Sequence, residues 1–113
     1  MKLFRVIFGG VKEISNDDYR KNYQNIQHIL LDVRNSNEYT SGHMQGAQNI
    51  PLAKLPKKMN HLPKNQPIVV VCRTGPRGRE AAHLLQEQGY DVANLVGGIH
   101  GWKDDGLDLV RAN

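Results

Sequence analysis

The sequence predicts an α/β domain of three layers. Two apolar runs point to it first. Ile68-Val69-Val70-Val71 is unbroken and β-branched, and Ile29-Leu30-Leu31 lies inside a second such segment, His28 to Arg34. Continuous runs of this kind read as strands buried on both faces, which implies a parallel sheet covered by helices on each side. The third observation is alternation: strand-like runs are separated by stretches with helical spacing or helix-start signals.

In chain order, residues 1–10 read as an N-terminal arm and Val11 to Ile14 as a short strand. Ser15-Asn16-Asp17-Asp18 starts a helix, with Ser15 as cap and Asp18 placing a carboxylate three residues on. Tyr19, Tyr23 and Ile26 follow at roughly helical spacing. His28 to Arg34 is the second strand, and Asn35 to Tyr39 opens a short helix. Ser41 to Ala47 is a glycine-punctuated loop, and Gln48-Asn49-Ile50 a very short strand ended by Pro51. Leu52 to Leu62 is a lysine-rich helical or irregular linker, broken by Pro56 and Pro63. The strand at Ile68 runs into a helix that reaches Gln88, with Gly89 as its C-terminal cap. Asp91 to Val96 is the last strand, Gly97-Gly98 breaks it, and Ile99 to Lys103 is a short helix carrying Trp102. The tail after Gly106 carries no signal.

A chain of 113 residues makes one domain, 1–113, with a core over about 11–103 and a tail over 104–113. Its single cysteine excludes an internal disulfide and a thiol-rich zinc site, and suits a reducing compartment. No stretch has transmembrane length, and the N-terminus lacks the form of a signal peptide, so the expected location is the cytoplasm. A net charge of +4 favours small anions or acidic partners. No basic run interleaved with aromatics suggests nucleic acid.

The chemistry concentrates where the strand at Ile68 ends. Cys72-Arg73-Thr74-Gly75-Pro76-Arg77-Gly78 joins that strand to the first turn of the next helix. Loop N–H groups, the positive helix end and nearby arginines stabilise a thiolate there, and thiol pKa values in such settings fall from ~8.5 to roughly 3.5–7.5. The same groups would hold an anionic substrate. An inert core cysteine would have no use for two arginines and a glycine in the next five positions. Cys72 is therefore the candidate nucleophile. Arg73 and Arg77 are candidate anion binders, Arg77 the stronger because it closes the loop. Thr74 and Gly75 offer backbone N–H donors. Arg79 reads as a solvated helix residue. The loop from Cys72 to Arg77 spans six residues, and a ring this tight suits one sulfur atom better than a phosphate.

Three motifs together resemble the rhodanese (thiosulfate sulfurtransferase) homology domain in its single-domain form. They are Leu31-Asp32-Val33-Arg34 with Glu38-Tyr39, Gly42-His43-Met44-Gln45-Gly46-Ala47 and Asn49-Ile50-Pro51; then Cys72 to Arg77; then Gly97-Gly98-Ile99 with Trp102. The resemblance covers about Val11 to Trp102. It implies an α/β/α fold around a five-stranded parallel sheet and a cysteine that alternates between thiol and persulfide. Related phosphatase and arsenate-reductase branches carry a loop one residue longer. This chain departs from the commonest loop in having Pro76 where a polar residue is frequent and Gly78 where serine is frequent. Pro76 is benign at a first helical turn, but it removes one donor to an anion.

The reading is a sulfurtransferase that carries a sulfane sulfur on Cys72, with Arg73, Thr74, Gly75, Pro76, Arg77 and Gly78 around the substrate. Asp32 and Arg34 serve as a structural ion pair near the site, and His43 as a hydrogen-bonding loop residue. The partners implied are a small anionic sulfur donor and a thiol or protein acceptor, with no cofactor, metal, nucleic acid or membrane, and a monomer. His28, His61, His83 and His100 show no ligand spacing, and Trp102 is a core residue that could wall the pocket. The alternatives are a non-catalytic binding module on the same fold and a persulfide carrier serving a partner protein.

Overall fold

The computed structural model describes residues 6–8 and 10–111; side chains are described from Gly10 onward. Val11–Ile14 (β2), Ile29–Asp32 (β3), Gln48–Asn49 (β4), Ile68–Val71 (β5) and Val92–Leu95 (β6) form a parallel sheet in the order β2-β6-β5-β3-β4. A further strand, Val6–Phe8 (β1), pairs antiparallel with β2 at the sheet edge. It falls within the expected arm, whose residues 1–5 and 9 lie outside the described residues.

The helices are Asn16–Asn22 (α1), Ser36–Ser41 (α2), Leu55–Lys58 (α3), Pro76–Glu87 (α4) and Gly98–Asp104 (α5). α3 is flanked by 3₁₀ turns at Leu52–Lys54 and Met59–His61, which is how the lysine-rich linker resolves. Two of the starts follow directly from their sequence. Ser15 and Asp18 form a capping box on α1, and Asn35 and Glu38 form one on α2.

Alternation along the strands divides the core. Ile68, Val70 and Cys72 join Leu31, Val33, Leu55, Ala81, Ala82 and Leu85 on one face. Val69 and Val71 join Leu30, Tyr19, Ala93, Leu95, Ile99 and Trp102 on the other. The period-two geometry of strands thus puts α3 and α4 on one side and α1 and α5 on the other.

α1 ends earlier than the spacing suggests. Tyr19 and Tyr23 are buried, but Ile26 is 54% exposed and lies beyond the last turn. A turn over Tyr23, Gln24 and Asn25 overrules the periodicity. The tail, silent in the sequence, folds back on the domain: His43 and Val110 exchange both backbone hydrogen bonds at 2.8 Å, and Trp102 Nε1 donates to the Asp108 carbonyl.

Candidate functional site

Sheet register assembles the site. β3 and β5 pair so that Asp32 lies opposite Val71, and the Val33 N–H donates to the Val71 carbonyl. Residues 32–34 and the start of the cysteine loop therefore leave the sheet side by side at its carboxyl end, where α/β proteins build their sites.

Cys72 is fully buried, at 0% exposure. The Gly75 N–H donates to its Sγ across 3.0 Å. Gly75 has φ +131°, and a Cβ there would meet the Val96 carbonyl oxygen at 2.9 Å, so this turn needs glycine. Behind the loop, the first N–H groups of α5 hold its carbonyls: Ile99 donates to Cys72 and His100 to Arg73. Gly98 permits that approach. A Cβ at this position would lie 2.5 Å from the Cys72 oxygen and 2.6 Å from the Arg73 oxygen. The Gly97-Gly98 break is thus the back wall of the loop.

The arginines divide. Arg77 makes a two-pronged pair with Glu38, at 2.8 and 3.0 Å. The Arg77 hydrogen bond holds the Glu38 carboxyl well below its usual range, at about 2, and Glu38 raises Arg77 in turn. Attraction to Cys72 and Asp32 adds to the Arg77 shift, so its cation serves the neighbourhood of the thiol as well. Arg73 is exposed, and its Nε approaches His100 Nε2 at 3.4 Å. Thr74 is exposed, Pro76 opens α4, and Gly78 is buried against the Asn94 side chain.

Asp32 and Arg34 form the expected ion pair. Arg34 Nε lies 3.0 and 3.1 Å from the two Asp32 oxygens, and its terminal nitrogen 2.7 Å from Asp32 Oδ2 and 2.7 Å from the Gly42 carbonyl. Both side chains are buried, so each charge depends on the other. Arg34 ties the loop before His43 to the end of β3. His43 stacks on Tyr39 at 3.8 Å and bonds the Tyr39 carbonyl through Nδ1, in keeping with a hydrogen-bonding loop residue.

An open cleft of about 300 Å³ lies beside the loop, lined by Arg34, Glu38, Arg73, His100, Lys103 and Leu109 among others. With Arg34 and Glu38 already paired, Arg73 and Lys103 give it a positive balance. A cavity of about 610 Å³ lies elsewhere, lined by Tyr19, His28, Leu30, Met44 and Trp102 among others. Trp102 therefore walls that cavity and packs edge-on against Tyr19, away from the cleft beside the loop. Burial there pushes the Tyr19 hydroxyl up to about 12, so it stays protonated beside His28.

Sequence reasoning assigned no role to Glu13, Asn94, Glu38 or Lys103. Asn94 carried a readable signal, a polar residue inside the otherwise apolar strand Val92–Leu95, whereas Glu13 stands beside Lys12 and did not. Arg79 needs correction: its Nε donates to the buried Glu13 carboxylate at 2.7 Å. A buried acid needs a cation, and the helix position of Arg79 supplies one. Among the described residues, no group of three or more His, Cys, Asp or Glu is placed to hold a metal, and no helix is long and apolar enough to cross a membrane.

Comparison with known proteins finds relatives in sequence and in fold. The family model described as rhodanese-like domain matches residues 15–105. A protein named sulfurtransferase from Allochromatium vinosum is 34% identical over 102 residues, covering 88% of this chain and 95% of its own. The thiosulfate sulfurtransferase GlpE of Shewanella oneidensis is 36% identical over 76 residues, covering 66% of this chain and 75% of its own. The crystal structure of a rhodanese-related protein from Thermoplasma volcanium superimposes with a TM-score of 0.82 at 28% identity, covering 88% of this chain and 98% of that one.

Proposed function

The chain belongs to the rhodanese-like domain family, and from that premise we propose that it transfers a sulfane sulfur through a persulfide on Cys72. Relatives named sulfurtransferases support sulfur transfer as the general activity. The observation that carries the specific reading is the Gly75 N–H held 3.0 Å from Sγ, inside a six-residue loop that ends at Arg77. The Gly75 N–H is a direct hydrogen-bond donor to that sulfur, and the Arg77 guanidinium lies close enough to interact with it electrostatically.

The reaction is a double displacement. The Cys72 thiolate attacks the outer sulfur of thiosulfate. A Cys–S bond forms, the S–S bond of thiosulfate breaks, and sulfite departs with the bonding pair. The persulfide that remains carries one negative charge, which Gly75 N–H and the loop can hold. An acceptor, cyanide in an assay or a thiol, attacks the outer sulfur and returns Cys72 as thiolate. No net oxidation or reduction is needed. Arg73 and Lys103 in the cleft would draw the anionic donor, as a positive recess raises local anion concentration. Asp32 and Arg34 would hold the adjoining loop in place. A cytoplasmic site of action and a thiol or protein acceptor fit the lone cysteine.

One observation favours a second reading, a non-catalytic binding module: Cys72 is closed off from solvent. Mass measurement decides between them. After thiosulfate treatment, the intact protein is expected to gain one sulfur atom on Cys72 and to lose it to cyanide. An unchanged mass in the wild-type protein would favour the binding module. A Cys72→Ser protein that still gains sulfur would overturn Cys72 as the carrier.

A further inference from the structure

Two buried polar side chains stand outside the mechanism just described. Glu13 in β2 is 3% exposed and Asn94 in β6 is 0% exposed. Burying such groups is costly unless each is satisfied. Their bonds all lead to one peptide. Asn94 Nδ2 donates to Glu13 Oε1 at 3.0 Å and to the Gly75 carbonyl at 3.2 Å. Both partners can only accept, so the amide cannot turn over, and Asn94 Oδ1 is left without a partner. That oxygen occupies the space beside Gly78, where a Cβ would fall 2.2 Å away. The other Glu13 oxygen accepts from Arg79 Nε at 2.7 Å. The Arg79 backbone N–H completes the ring by donating to the same Gly75 carbonyl at 2.9 Å.

The Gly75 carbonyl is therefore gripped from two directions. Gly75 itself sits at φ +131°, ψ −41°, a sparsely populated conformation that persists only where surroundings impose it. On the near side of that hinge, its N–H points at Cys72 Sγ.

We propose that Glu13 and Asn94 are positioning residues for the Cys72 thiolate: by fixing the Gly75 carbonyl they aim the Gly75 N–H at Sγ. Arg79 keeps Glu13 in place as their counter-charge. This rests on the reading of Cys72 as the reacting group. Without the Asn94 bond the Gly75 carbonyl keeps only the Arg79 N–H, rotation about Gly75 φ and ψ is freer, and the N–H in the preceding peptide unit drifts from Sγ.

The test follows the rate of Cys72 alkylation by iodoacetamide against pH, with a thermal melt on each protein. Asn94→Ala is expected to raise the midpoint by about one pH unit, which is roughly a tenfold slower reaction below the midpoint. Glu13→Gln is expected to move it the same way by less, because glutamine still accepts from Asn94 but loses the charge that Arg79 pairs with. Variants that melt earlier yet titrate as the wild type would show a merely structural network and overturn the proposal. If Asn94→Ala does not fold, Glu13→Gln decides alone, and an unmoved midpoint overturns it. Alkylation reads the thiolate whatever it reacts with in nature. Failure of thiosulfate to load Cys72 would thus sink the sulfur-transfer reading without deciding this one.

Discussion

Glu38 faces two demands at once: it caps α2 through the Asn35 N–H and it binds Arg77 by both oxygens. Its carboxyl is held near 2 in the folded protein, against an ordinary value of 4.5. A depressed acid stabilises the fold fully above its ordinary value, and that stabilisation fades as pH falls from about 4.5 towards about 2. The pair is partly solvated, so salt should weaken it. Glu38→Gln is expected to flatten the acid limb of the unfolding curve across that window, as followed by circular dichroism. Added salt is expected to shrink the difference between the two proteins. An acid limb identical in variant and wild type would show that the pair contributes nothing. Glu38 stood in the sequence as part of a motif, but its partner lies 39 positions away, and no local pattern reports such a pair. Asp32 and Arg34 were easier to read, because their place at the end of a buried strand is local and the family resemblance implies that they pair.

At the scale of elements, most boundaries were legible where chemistry is local. Val11–Ile14, the Ser15–Asp18 cap of α1 and the start of α2 at Asn35 fall where the residues place them. β5 and α4 follow the switch from β-branched to helical pattern. What stayed hidden was contact between distant elements, above all the N-terminus of α5 against the cysteine loop. Gly98 is where that contact is tightest, with φ +60° and a Cβ site 2.5 Å from the Cys72 oxygen. Gly98→Ala must either strain its own backbone or push α5 off the loop. The expected cost is about 2 kcal/mol, or roughly 5–10 °C in Tm. Persulfide loading of Cys72 by thiosulfate should fall with it, since the displaced loop no longer presents Gly75 N–H to Sγ. Gly101 lies on the same helix and its Cβ site meets nothing within 4 Å. Gly101→Ala is therefore expected to melt no lower than the wild type, since alanine suits a helix better than glycine. Equal losses at both positions would remove the special role assigned to Gly98.

The whole molecule is closed by a segment that the sequence left blank. Residues 107–111 have neither strand nor helix periodicity, yet they run back across the domain to meet the loop after α2. Val110 pairs with His43, Leu109 approaches the Cβ side of Gly42, and Asp108 accepts from Trp102. Pattern reading fails here for a physical reason: the strap is held by backbone bonds to a loop, and backbone bonds leave no mark on side-chain type. Arg34 grips the Gly42 carbonyl from the other side, so this loop is anchored both to the sheet and to the tail. A protein truncated after Gly106 loses four hydrogen bonds among the described residues, each worth about 1 kcal/mol net. Truncation also removes the packing of Leu107 and Leu109 on the core and, opposing both losses, the entropy cost of holding the segment in place. The net loss should therefore be small, on the order of 1 kcal/mol, and the optical change should be larger than the thermal one. Trp102 is the sole tryptophan and is buried, with its indole N–H engaged by the tail. Truncation is expected to shift its fluorescence to longer wavelength while Tm falls by only a few degrees. An unshifted spectrum would mean that the tail does not cover Trp102 in solution.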